Sequence, residues 1–138
     1  MIDIKKILLI GWDPSAVDYN KWPDLNPEKL RALLQADSSN LNSLGYEATW
    51  CFIADAESAS DEVIQALSDT AYDCILIGAG VRLDPDAFMV FERLINVVHI
   101  CAPNARLCFN TNPSDTAEAI KRWFNNRQLS SGILFRCD

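Results

Sequence analysis

The chain has 138 residues, 49% hydrophobic and 22% charged, which suits one globular domain whose core needs no metal or disulfide. Nineteen acidic residues against twelve basic give a net charge of −7; with the basic residues scattered, phosphate backbones and anionic lipid surfaces are repelled and no nucleic-acid partner is expected. The longest apolar run, near Ile7 to Gly11, is too short to span a bilayer, and MIDIKK leads into too brief an apolar segment for a signal peptide, so a cytoplasmic location and no membrane partner are expected.

Residues 4–11 read as the first strand, with Ile7 to Ile10 continuously apolar, as in a strand covered on both faces. Gly11-Trp12-Asp13-Pro14 breaks it. Residues 12–25 form a long polar and aromatic loop with Trp12, Tyr19 and Trp22, and loops of that length inside compact domains are often functional. Asn26-Pro27 opens the first helix as cap and first turn. Leu30, Leu33, Leu34, Leu41 and Leu44 supply its 3.6-residue period, Gly45 ends it, and Asp37 falls beside the apolar stripe. Residues 46–54 form a second strand whose half-polar start suits a sheet edge, and residues 57–71 a second helix with Val63, Ile64, Leu67 and Ala71 inward.

Residues 73–78 form a third strand, which Gly78-Ala79-Gly80 is expected to close as a glycine turn. Asp84-Pro85 opens a third helix, roughly 84–101, whose apolar residues run nearly all round. Two apolar faces predict burial on the sheet and on a second surface. Residues 106–110 are a fourth strand, Asn112-Pro113 opens a fourth helix with Ala117, Ile120 and Phe124 inward, and residues 132–135 are a short fifth strand.

This alternation predicts an α/β three-layer sandwich, one domain over residues 1–138, with a five-stranded parallel sheet. Right-handed crossovers favour the order 2-1-3-4-5, the flavodoxin-like and receiver-like topology. Ligands of such sheets bind beyond the carboxyl ends of the strands, at the switch point between strands one and three. Gly11, Trp12 and Asp13 follow strand one there; Gly78, Ala79, Gly80 and Arg82 follow strand three; Asn110 and Thr111 follow strand four. Two helix N-termini, at Asp84 and Asn112, offer amide groups to an anion, Gly78 and Gly80 permit close backbone approach, and Arg82 adds a forked cation. The same residues also serve a purely structural purpose: Asp84, Asn112 and Ser114 as caps, the glycines as a turn, and Arg82 as a partner for Asp84 or Asp86.

Catalytic signatures are sparse. Gly78-Ala79-Gly80-Val81-Arg82-Leu83 lacks the third glycine of a dinucleotide fingerprint and follows strand three rather than strand one. A flavodoxin phosphate loop is missing from GWDPS. A receiver domain needs an aspartate where Gly78 stands and a lysine where Arg136 stands. His99, the sole histidine, lies late in the third helix, about 15 Å from that helix's start by the helical rise, so Ser-His or Cys-His catalysis has no parts at the strand ends. Asp13 is the only candidate acid or base. No cofactor or metal is expected; Asp13 and Asp55 could share Mg²⁺ only if their loops met. The five cysteines contain no CxxC pair. Cys51, Cys74 and Cys108 read as core thiols and Cys137 as the exposed one.

Gly11-Trp12-Asp13-Pro14, Gly78-Ala79-Gly80-Val81-Arg82, Leu94-Ile95-Asn96-Val97-Val98-His99 and Cys108-Phe109-Asn110-Thr111 resemble segments of a group of small single-domain flavodoxin-like α/β proteins with no assigned activity. The resemblance spans most of the chain, excepting about the last dozen residues, and implies the fold. It also singles out Asn96 and His99, away from the strand ends. Two functions compete. One is binding of a small anionic molecule, with the 12–25 loop as lid, Arg82 on the anion, and Asn110 and Thr111 hydrogen-bonding the ligand. The other is a non-catalytic interaction or self-association module, a homodimer through helix 84–101.

Overall fold

The computed structural model describes residues 4–124. Strands β1 (Lys6–Trp12), β2 (Glu47–Ile53), β3 (Cys74–Ile77) and β4 (Arg106–Phe109) alternate with helices α1 (Pro27–Ser43), α2 (Ala59–Asp69), α3 (Ala79–Arg82), α4 (Phe88–Cys101) and α5 (Thr116–Phe124). The strands form one parallel sheet in the order β2-β1-β3-β4. This is the expected flavodoxin-like order over the described residues, with four strands where five were expected. The segment 132–135, read as the fifth strand, lies outside the described residues.

Strand β1 explains the two cores. Ile7, Leu8, Leu9 and Ile10 are each fully buried, and successive side chains point to opposite faces. Leu8 and Ile10 join Ile75, Ile77, Val63, Val90, Leu94 and Val98 under α2 and α4. Ile7 and Leu9 join Leu76, Leu41, Ala119 and Ile120 under α1 and α5. Each such aliphatic side chain contributes about 1.5–3 kcal/mol of burial. Strand β2 lies at the edge of this sheet, and its exposed Glu47 and Thr49 fit that place.

The helix boundaries follow their caps. Asn26 Oδ1 accepts the Lys29 amide at 2.8 Å to start α1, and Gly45, at φ 99°, follows its last turn. Two expectations are revised. The stretch after β3 is a helical turn rather than a glycine turn: the amides of Val81 and Arg82 both donate to Gly78 O, which inserts Val81 into the core. The helix expected over 84–101 starts as a 3₁₀ turn, Pro85–Ala87, because Asp84 Oδ1 takes the Asp86 amide at 2.9 Å. Pro113–Asp115 precedes α5 in the same way, under an Asn112–Asp115 capping box.

Helix α4 buries part of its excess of apolar residues in the core it shares with the sheet and α2. Val90, Leu94 and Val98 are buried, while Phe91, Ile95 and Val97 pack partly buried against the same core, beside α2. Its outward residues include Glu92, Arg93 and Asn96, all exposed. Phe88, Met89 and Ile100 stay exposed, so the second surface expected for this helix is met within the domain only in part.

Candidate functional site

The carboxyl ends of β1, β3 and β4 open into a cavity of about 360 Å³. Gly11, Gly78, Ala79 and Gly80 line it from the strand ends. Leu30 and Leu34 of α1, Trp50 of β2, Trp12 at the end of β1, and Trp22 and Leu25 of the segment that follows also line it. Trp50 is held on two sides. Its Nε1 donates to Leu34 O at 3.1 Å, and its ring stacks on Phe52 with centroids 5.1 Å apart. The long loop is a run of short turns rather than an open excursion: Lys21, Trp22 and Leu25 donate their amides to Asp18, Tyr19 and Trp22. Its Lys21 Nζ reaches Asp86 at 2.6 Å and Asp84 at 3.2 Å, which ties the loop to the start of α4.

A largely buried polar chain borders the cavity. The Ala79 amide donates to Asn110 Oδ1 at 2.9 Å, Asn110 Nδ2 donates to Thr116 Oγ1 at 2.9 Å, and Thr116 Oγ1 donates to Asp37 Oδ2 at 2.6 Å. Asn110, Thr116 and Asp37 are 5%, 0% and 7% exposed. The chain links α3, β4, α5 and α1, and two of its members, Asn110 and Asp37, line the cavity. Burial raises the Asp37 pKa; the Thr116 hydrogen bond opposes the rise and the nearby charge of Asp115 adds to it.

Of the nine residues expected at the site, seven line this cavity: Gly11, Trp12, Gly78, Ala79, Gly80, Asn110 and Thr111. Asp13 and Arg82 do not. Asp13 Oδ1 accepts the Ser15 amide at 2.9 Å and the Ser15 hydroxyl at 2.8 Å, capping the turn Pro14–Ala16. These bonds, the backbone one foremost, hold its carboxyl below the usual carboxylate range. Arg82 Nη2 donates to Asn110 O at 2.7 Å and its guanidinium lies 5.7 Å from the centre of the Phe109 ring. Its Nε is buried without a partner among the described residues. Arg82 therefore fastens α3 to the end of β4.

The second expected anion-binding group, the amide cluster before α5, is also engaged. Ser114 donates its amide to Asn112 Oδ1 at 2.8 Å, while Thr111 and Asn112 donate theirs to Asp115. The Thr111 hydroxyl also donates to Asp115. Burial pushes the Asp115 pKa up, but the bonds from Thr111 and Asn112 outweigh it and the carboxyl stays low.

Asp37 and Thr116 show what sequence reading reaches. Asp37 stood out as an acid beside an apolar stripe. Thr116 gave no signal, because its partner lies 79 positions away. His99 and Asn96 are exposed on α4, and neither lines the cavity. Asp55 caps the turn before α2 by accepting the Ser58 amide at 2.8 Å. Among the described residues no group of three His, Cys, Asp or Glu side chains is placed to hold a metal ion, and no helix is long and apolar enough to cross a membrane. No family model matches the chain, and no curated protein matches it.

Proposed function

We propose that this domain binds a small organic molecule with a largely apolar body in the strand-end cavity. The carrying observation is the cavity itself: about 360 Å³, preformed, at the switch point of a parallel sheet, walled by Trp12, Trp22, Trp50, Leu30 and Leu34. Small-molecule sites have this character, with volumes of roughly 300–1,000 Å³ and few polar groups. Such a ligand is less polar than the anionic metabolite expected from the sequence. Asn110 and Asp37 supply the polar contacts. Among the described residues no nucleophile–base pair lines the cavity, and the reading is one of binding.

Thermal shift and tryptophan fluorescence against a library of small organic molecules test this. Gly80 is exposed, and a Cβ there would stand 3.9 Å from Trp12 Cδ1, so a Gly80→Trp side chain can occupy the cavity mouth. Ligands should stabilise the wild-type protein and change its fluorescence, and Gly80→Trp should abolish both effects. A library without hits, or hits that bind Gly80→Trp equally well, would overturn the reading.

A second reading, self-association, rests on Leu83, Phe88 and Met89, which are 53%, 56% and 61% exposed around the start of α4. Sedimentation velocity across a range of concentrations tests it. A dimer that Met89→Lys dissociates would support it, and a monomer at every concentration would exclude it.

A further inference from the structure

The charges around the cavity are unlike those expected from the sequence. Among the described residues four charged side chains line it: Asp18, Asp37, Asp84 and Lys21. Three acids against one base leave an excess of two negative charges. The single base is already committed, since Lys21 Nζ sits 2.6 Å from Asp86 and 3.2 Å from Asp84. Arg82 is bound to Asn110 O outside the lining, and Asp115 with Asn112 takes the amides ahead of α5. An entering anion would meet carboxylates and indole rings.

A cation would meet complementary groups. Asp37 is 7% exposed, lines the cavity, and accepts one hydrogen bond among the described residues, from Thr116 to Oδ2. Its other oxygen, Oδ1, has no donor there. A buried carboxylate without a cationic partner is costly, and pairing it with a charge brought by a ligand offsets that cost. Three tryptophans share the lining, and indole faces attract ammonium groups within about 6 Å. Trp50 is already fixed by Leu34 O and Phe52, so its ring does not have to be ordered on binding.

We propose that the cavity takes a small organic ammonium ion with an aromatic or other apolar body, its charge met by Asp37 and its body by Trp12, Trp22 and Trp50. This assignment rests on the ligand-binding reading above and names the ligand's class. Thr116 and Asn110 act as positioning residues that hold the Asp37 carboxylate in place.

The test uses the full chain and two size-matched sets of probes: 2-phenylethylamine, 2-phenylethanol and phenylacetate, then tryptamine, tryptophol and indole-3-acetate. Titration calorimetry at pH 7 reads affinity. Each amine should bind about tenfold or more tightly than its alcohol and its acid, the value of one charge-assisted contact. Asp37→Asn should remove most of that preference, bringing each amine to within about threefold of its alcohol measured on the same variant; an asparagine oxygen can still accept the Thr116 hydroxyl, and circular dichroism checks the fold. Trp22→Ala, at the exposed rim, should weaken the amines without unfolding the protein. If an alcohol or acid binds as well as its amine, the ammonium assignment fails while the cavity reading stands. If Asp37→Asn binds the amines unchanged, the role of Asp37 is overturned. If no probe binds, the cavity reading and the ammonium assignment fall together.

Discussion

Gly78 and Gly80 stand two residues apart and do different work. A Cβ on Gly78 would come 3.3 Å from the backbone oxygen of Ile10, a neighbour that cannot swing away. A Cβ on Gly80 would meet only Trp12, at 3.9 Å, inside the short helix α3. Gly78→Ala should therefore cost about 1 kcal/mol or more of stability by forcing β1 and β3 apart. Gly80→Ala should be neutral or stabilising by up to about 1 kcal/mol, because alanine is the better helix former. Urea denaturation of the two variants measures the difference. Asp37 makes the complementary case. Its pKa in the folded chain lies above the ordinary 3.8, so the folded state binds its proton more tightly than the unfolded state does. Stability is then lost as pH rises from below 3.8 through the folded pKa, and the penalty persists at neutral pH. Asp37→Asn should be more stable than wild type at pH 7, with the gain closing below pH 3.8, as melting curves across pH would read. A substitution that stabilises the fold and weakens binding is the signature of a functional side chain.

The elements that deliver these residues were legible in the sequence to different degrees. Helix α1 was the plainest, because Asn26-Pro27 and Gly45 bracket its leucine period, and the structure uses Asn26 as N-cap, Pro27 in the first turn and Gly45 just past the C-cap Leu44. Helix α4 was harder. Its composition suggested two apolar faces, but composition does not say that Phe91, Ile95 and Val97 pack against the same core as the buried stripe, with Phe91 edge-on to Phe109 of β4, while Phe88 and Met89 stay exposed. Its packing predicts a sharp contrast. Leu94→Ala, at a fully buried position, should cost about 2–5 kcal/mol. Asn96→Ala, at an exposed position whose amide only donates to Glu92 O, should stay within about 0.5 kcal/mol. Chemical denaturation compares them. The 12–25 segment was legible as a site element from its length and aromatics, but its internal turns and its Lys21 tether were not. Lys21→Ala should leave the melting temperature little changed and speed amide exchange in that segment, since an exposed ion pair adds little stability while fixing position.

At the scale of the whole molecule, the strand order and the place of the cavity came from a general rule: a parallel sheet opens where its connections diverge. What the rule cannot supply is which way each side chain turns. Asp13 and Arg82 sit at the right ends of the right strands and still do not line the cavity, because each finds a closer partner in Ser15 or Asn110. The buried chain from Ala79 to Asp37 joins four elements and shows in no local pattern. Cysteine placement has the same limit. Cys51, Cys74 and Cys108 are buried as expected, and Cys74 and Cys108 meet with Sγ atoms 2.7 Å apart, but Cys101 at the end of α4 is exposed. Burial pushes the Cys51 thiol up to about 11, and the Cys108 contact together with burial pushes Cys74 higher still. In a Cys137→Ser background a thiol reagent should label Cys101 in the native protein and the three buried thiols only after unfolding.

The central claim is that the strand-end cavity is where this protein meets its ligand. Amide and indole NMR shifts of the full chain during a tryptamine titration test it most directly. The account predicts saturable shifts concentrated on the indoles of Trp12, Trp22 and Trp50 and on the amides of Gly78, Ala79 and Gly80. Saturable shifts centred on α4 instead, or none at all, would contradict it.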